Sequence, residues 1–269
     1  MTEPTRLPPL LLLGAGRMGG AMFAGWANQA LAPCVLVDPS TPAGLARPQD
    51  TMLASLADLP AGFRPEAAIL AVKPQMADAV IPALAAALSG HGVVLTIMAG
   101  RAIPALQAAL GVPVIRAMPN TPAAIGQGIT AACAGPGVTD PQRALAHTLL
   151  AAVGDVVWVD DEALIDPITA ISGSGPAYVF LLAELMEQAG IELGVPPPLA
   201  RQLARKTVFG AGALLDRRDE DAADLRRAVT SPKGATEKAL EILMAADAWP
   251  RAVRLAMKAV MLRSRELGG

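Results

Sequence analysis

The chain has 269 residues, 53% apolar and 17% charged, with a net charge of −2. That composition builds a substantial core and excludes a disordered chain, and so small a net charge leaves no electrostatic footprint for nucleic acid. The length suits one large domain or two ordinary ones.

The first predicted element is the leucine run Leu10–Leu13, which leads straight into Gly14-Ala15-Gly16-Arg17-Met18-Gly19. An apolar strand, a G-x-G-x-x-G turn and a following helix form the dinucleotide-binding fingerprint. Gly14 allows the tight turn, Gly16 lets backbone approach a pyrophosphate, and Gly19 lets the helix pack close to the strand. Free N–H groups at the helix start face the phosphate charge. A second strand, Val35–Val37, ends in Asp38, about 20 residues beyond Gly19, where a ribose-binding carboxylate belongs. A carboxylate there accepts from a ribose 2′-hydroxyl and repels a 2′-phosphate, which leans toward NADH. Arg17 and Arg47 are the candidate phosphate partners that keep NADPH open.

Further strands are expected at 67–72, 93–97, 112–116, 129–133 and 156–159, alternating with helices. The uncharged stretch 79–100 is long enough to span a bilayer, but Pro82 and Ser89-Gly90-His91-Gly92 interrupt it, so it reads as helix, turn and buried strand. No leader or anchor is read at the N-terminus, and a cytoplasmic protein is expected. Cys34 and Cys133 form no C-x-x-C pair and read as buried spectators in strands. His91 and His147 stand apart, and no metal site is expected.

Three loops after strands are placed to meet a nicotinamide and its ribose: Val72-Lys73-Pro74-Gln75, Met98-Ala99-Gly100, and Arg116 to Pro122 with Pro119 and Asn120. Lys73 and Asn120 are the polar groups best placed to hold a carboxamide or ribose hydroxyl, and each has an ordinary surface or turn reading beside it. After Asp160 the strand signal disappears. Helices are expected at 162–190, 197–216, 222–229, 235–246 and 250–266. The predicted architecture is therefore α/β, with a Rossmann-type, doubly wound, mostly parallel sheet over residues 1–160 and an all-helical domain over 161–269. The apolar run Ala177–Leu185 favours an oligomer through the helical half.

Two loops in that half stand out. Ile171-Ser172-Gly173-Ser174-Gly175-Pro176-Ala177 breaks a helical pattern, as a hinge or a close backbone approach would. Val229 to Thr236 reads as a helix start, with Ser231 as cap and Pro232 in the first turn. Its N–H groups suit an anion such as a substrate carboxylate.

Taken in order, Gly14–Gly19 with Met18, Val72–Gln75, Arg116–Thr121, Thr169–Pro176 and Thr230–Thr236 resemble the pyrroline-5-carboxylate reductase family over essentially the whole chain. The resemblance implies reduction of the cyclic imine 1-pyrroline-5-carboxylate to L-proline with NADPH or NADH, family precedent leaning toward NADPH. It also implies an intertwined homodimer, often assembled into a decamer, whose site combines loops of both subunits. Carried over by motif, Ser231, Gly234, Ala235 and Thr236 hold the substrate carboxylate and ring. Thr169, Ser172, Gly173, Ser174, Gly175, Pro176 and Ala177 wall the site. Ser174 and Thr236 are the candidate catalytic hydroxyls. Gly14, Gly16, Arg17, Met18, Gly19, Asp38, Val72, Lys73, Pro74, Ala99, Gly100, Pro119 and Asn120 hold the dinucleotide. Arg17, Asp38-Pro39 and Lys233 depart from the family pattern.

Three other readings compete with this one. A β-hydroxyacid dehydrogenase needs a lysine soon after the Ser174 loop, where Tyr178, Val179, Phe180 and Leu181 stand instead. A magnesium-dependent reductoisomerase has only Glu184 and Glu187 to offer as a metal pair. A dinucleotide-sensing regulator would not need the carboxylate loop.

Overall fold

A computed structural model describes residues 7–27, 29–40, 44–217 and 219–268. Its strands are β1 (Leu10–Leu13), β2 (Val35–Val37), β3 (Thr51–Leu53), β4 (Ala67–Leu70), β5 (Val93–Thr96), β6 (Val114–Met118), β7 (Gly128–Ala134) and β8 (Gly154–Trp158). They form one sheet in the order β3-β2-β1-β4-β5-β6-β7-β8. All pairings are parallel except β6 with β7. Strands β1, β2, β4 and β5 are buried along their whole length. Helices cover both faces, which is why these strands read as continuous apolar runs rather than alternating ones.

One face packs against α1 (Arg17–Ala27) and α4 (Asp140–Ala151), through Met22, Phe23, Trp26, Leu149 and Leu150. The Trp26 indole N–H donates to the Leu149 carbonyl at 2.7 Å, so this large buried ring leaves no polar group unpaired. The other face packs against α2 (Ala77–Leu88) and α3 (Ile103–Leu110), through Leu84, Leu88, Ile103 and Leu106. Pro82 lies inside α2 rather than ending it; the helix forgoes one backbone bond there.

The strand β3 is missing from the sequence reading, because Thr51-Met52-Leu53, exposed or half-exposed, is too short a run to show a strand period. Cys34 lies just before β2, not in a strand, while Cys133 lies in β7. Both thiols are free and buried. Burial pushes the Cys34 thiol up to about 11.

The helix expected over 162–190 is broken. A 3₁₀ turn (Glu162–Leu164) and α5 (Ile165–Ile168) precede a π-helical turn (Thr169–Gly173), and α6 (Gly175–Glu192) follows. Next come α7 (Pro197–Arg217), α8 (Ala222–Ala228), α9 (Ala235–Leu243) and α10 (Trp249–Gly268). Two compact units result, one of Met1–Gly173 with Val260–Gly269, the other of Ser174–Ala259. Within the second unit, α6 packs on α7, but Ala200 and Ala204 are its only buried apolar side chains among the described residues. Phe180 (65% exposed), Leu181 (52%) and Leu185 (51%) lie open on α6.

Candidate active site

The glycine turn shows why each glycine is required. Gly14 adopts φ +91°, and a Cβ there would lie 2.7 Å from the Ala71 carbonyl at the end of β4. A Cβ on Gly19 would strike the Gly14 carbonyl oxygen and lie 3.1 Å from the Ala71 Cβ. A Cβ on Gly16 meets nothing within 4 Å, because that residue faces open space. Close packing behind the turn and room in front of it make the shape that a pyrophosphate needs. The first turn of α1 contains no acid, so its unpaired N–H groups remain attractive to an anion. Arg17 opens that helix and is exposed; Met18 is half-buried.

A cleft of 540 Å³ opens at the carboxyl ends of β1, β2 and β4. Gly14, Gly16, Asp38, Ser40, Val72 and Lys73 are among its lining residues. Asp38 is held from three sides. Its backbone N–H donates to the Leu53 carbonyl of β3 at 3.0 Å. Its carboxylate accepts from the Ala15 N–H at 2.7 Å and from the Ser40 N–H at 2.7 Å. Asp38 therefore stands in the cleft as expected and also fastens the glycine turn, a duty its sequence position did not announce.

Arg47 is a correction. Instead of facing a phosphate, its guanidinium grips Asp50 through Nε (2.9 Å) and Nη2 (2.7 Å). It also donates to the Leu31 and Ala32 carbonyls. All of these acceptors belong to the scaffold, so Arg47 is structural. Burial pushes the Asp50 carboxyl up, yet hydrogen bonds from the Arg47 side chain and from the Cys34 and Arg47 N–H groups outweigh it. The carboxyl ends below the usual carboxylate range.

Lys73 is exposed and precedes a 3₁₀ turn begun by Pro74. The loop after β5 holds half-buried Ala99 and buried Gly100 (φ +74°). Arg101 ties the two loops together by donating to the Pro74 carbonyl and to Asp78, both at 3.2 Å. Pro119 and Asn120 are buried beyond β6. The Asn120 Oδ1 accepts from the Ile129 N–H at 3.0 Å, which leaves its amide nitrogen as the side chain's donor.

Thr169 and Ser172 spend their hydroxyl protons on the Ile165 and Ile168 carbonyls. These bonds stabilise the π turn, a local distortion that recurs at functional sites. A Cβ on Gly173 would lie 3.1 Å from the Thr169 Cγ2. Ser174 stands at the N-cap of α6 without making a side-chain cap, and Pro176 fits the first turn. Gly175 and Pro176 are half-buried and Ala177 is exposed.

The second loop differs from its reading. Ser231 is not the cap of α9; Gly234 is, and it has no side chain to offer. Ser231 and Pro232 lie in the turn before it, where the Ser231 carbonyl accepts from the Gly234 N–H at 2.9 Å. Lys233 adopts φ +62°, the left-handed region where glycine is usual. Its N–H donates to Glu237 Oε2 at 2.8 Å. Ala235 and Thr236 open the helix and are exposed. Glu187 pairs with Arg201 of α7 at 3.0 Å.

One group of residues escaped the sequence reading. Arg116, 4% exposed, sits on β6. Its Nη1 donates to Glu162 Oε1 at 3.0 Å and its Nη2 to Asp166 Oδ1 at 3.1 Å. Glu162 Oε1 also accepts from the Ile103 N–H at the start of α3, at 2.9 Å. The Ser264 hydroxyl, near the end of α10, donates to Asp166 Oδ1 at 2.9 Å. An arginine inside an apolar strand signals paired carboxylates somewhere, but nothing local says which.

Residues 162–267 match the family described as pyrroline-5-carboxylate reductase dimerisation. A pyrroline-5-carboxylate reductase of Pseudomonas aeruginosa is 38% identical over 97% of this chain and 97% of its own length. A solved structure of a pyrroline-5-carboxylate reductase from Coxiella burnetii superposes with a TM-score of 0.86, at 30% identity, over 97% of this chain and 98% of that one. A Plasmodium falciparum pyrroline carboxylate reductase, solved with NADP bound, gives 0.85 at 26% identity, over 97% and 98%.

Proposed function

The chain belongs to the pyrroline-5-carboxylate reductase family, and from that premise we propose that it reduces 1-pyrroline-5-carboxylate to L-proline with NADPH or NADH. The observation that carries this reading is the 38% identity to a reductase along 97% of both chains. It takes in the glycine turn and the α6 and α9 loops together. A regulator that only sensed dinucleotide would need the first of these and not the others.

A dinucleotide held by these residues would supply the hydride for reduction of the imine carbon. A protonated imine is already polarised, so the protein's task is to place the reactants and hold the carboxylate. Gly14, Gly16, Arg17, Met18 and Gly19 hold the pyrophosphate end. Asp38, at the tip of β2 in the cleft, faces the adenosine ribose. Val72, Lys73, Pro74, Ala99, Gly100, Pro119 and Asn120 hold the nicotinamide end. Ser231, Gly234, Ala235 and Thr236 hold substrate, with Gly175, Pro176 and Ala177 against it. Thr236 hydrogen-bonds at the imine nitrogen or orders a water there, and Ser174 is the second candidate hydroxyl.

The division of labour follows: residues 1–160 bind the dinucleotide, and 161–269 bind substrate and a second copy. The run Glu162–Glu192 is apolar enough to cross a membrane by length and composition, and its α6 part leaves Phe180, Leu181 and Leu185 exposed. We assign that surface to the homodimer. Assembly of dimers into a decamer and a cytoplasmic location belong to the same proposal.

The test is oxidation of NADH and of NADPH, separately, with pyrroline-5-carboxylate. Turnover with at least one is expected; no turnover with either sinks the reading.

A further inference from the structure

The Arg116 network joins segments that the proposed reaction must keep in register. Glu162 holds the first N–H of α3, two residues beyond Arg101 and directly downstream of the Ala99-Gly100 loop. Arg116 lies on the strand that runs into Pro119 and Asn120. Asp166 lies in α5, immediately before the Thr169–Gly173 π turn. Gly173 in turn lies against β6, since a Cβ there would come 3.9 Å from the Met118 Cγ. One guanidinium therefore anchors three of the segments expected around the nicotinamide, and Ser264 adds the last turns of α10.

Stability alone does not account for this arrangement. A buried ion network is often no more stabilising than well-packed apolar residues of similar volume. The Arg116 Nε is buried and finds no acceptor among the described residues. What such a network does supply is direction, because a planar guanidinium fork accepts carboxylates only at set angles.

We propose that Arg116 is a positioning residue for the hydride step. With Glu162, Asp166 and Ser264, it locks the loops after β5 and β6 and the π turn into one frame. The inference rests on the reductase reading. None of the four residues touches a reactant; they act through the segments they hold. Hydride transfer demands close, aligned approach, and misplacement by about 1 Å costs about a hundred-fold in rate.

The experiment compares Asp166→Asn, Ser264→Ala and Ser264→Thr with the full-length enzyme. Asp166→Asn should lower kcat about ten- to a hundred-fold while the KM for the dinucleotide stays put. Ser264→Ala should do the same more mildly, and Ser264→Thr, which keeps the hydroxyl, should restore kcat. Arg263→Ala, which removes the neighbouring surface pair with Glu266, should leave kcat alone. Hydrogen exchange over 165–173, measured without substrate, should quicken in the first two variants only. Folded Asp166→Asn and Ser264→Ala enzymes with unaltered kcat overturn the proposal. If the wild-type protein reduces no imine, the reductase reading falls instead, and unchanged exchange in both variants then overturns the frame independently.

Discussion

The Asp38 carboxylate receives the Ala15 N–H at 2.7 Å, so the tip of the second strand fastens the glycine turn at the end of the first. This gives Asp38 a duty that is the same for either dinucleotide. Asp38→Ala is expected to raise the KM for NADH and NADPH alike, about ten-fold for a lost charge-assisted hydrogen bond. Steady-state kinetics with both cofactors check it; a simple reversal of preference would mean that ribose recognition dominates.

The glycines of the turn should respond differently to one methyl group. Gly19→Ala drives a Cβ into the Gly14 carbonyl, so the variant should lose thermal stability and dinucleotide binding together. Gly16→Ala points its Cβ into open space. It should melt like the wild type while binding dinucleotide about ten-fold more weakly or worse, because the methyl takes the room of a phosphate. Melting curves paired with titrations separate the two.

Arg47 and Asp50 form a mostly buried pair, with side chains 15% and 0% exposed. Removing one partner strands the other, so Asp50→Ala should cost about 3–5 kcal/mol in denaturant unfolding. The pH dependence follows from the lowered Asp50 pKa. A depressed carboxyl contributes stability that is complete above its unfolded value, about 3.9. That contribution is lost as pH falls through the folded value. Asp50→Asn should remove this part of the acid limb, seen as a shallower loss of stability below pH of about 4.

Thr236 stands exposed in the first turn of α9. A threonine hydroxyl is too weak an acid for proton transfer and acts by hydrogen bonding. Thr236→Ala should lower kcat by about ten-fold, the worth of one hydrogen bond, with dinucleotide affinity intact. Unchanged turnover would remove Thr236 from the mechanism.

Phe180 and Leu181 lie exposed side by side in a unit with almost no core of its own. Phe180→Glu should shift the protein toward monomers in light scattering, because a carboxylate resists burial in an apolar contact. It should also lower the melting temperature, since association and folding of such a unit are coupled.

Much of the first unit was readable because its physics is local. Four apolar residues followed by three spaced glycines require a strand, a turn and a helix, and Gly14, Gly16 and Gly19 each meet the surroundings their spacing implied. Signals failed where they were short or borrowed. β3 is only three residues long, too short for Met52 and Leu53 to show a period, yet it fixes the Asp38 backbone. Ser231 carries the chemistry of a cap, but the left-handed Lys233 turn lets the helix begin later, at Gly234. Arg47 looked like a phosphate ligand only because Asp50 and the Leu31 and Ala32 carbonyls give no sign in sequence of pointing toward it.

By itself, then, the sequence determined the dinucleotide turn, the alternation that builds the sheet, the change to helices after Asp160 and the order of motifs that marks the family. These depend on side-chain periodicity and on backbone freedom, which act within a few residues. The tertiary structure alone decided that Asp38 fastens the turn, that Arg47 serves the scaffold and that Arg116 joins Glu162 and Asp166. Those partners lie 46 and 50 residues along the chain from Arg116, and Ser264 lies a further 98 from Asp166. Electrostatic pairing is set by distance in space, and folding alone brings such residues together.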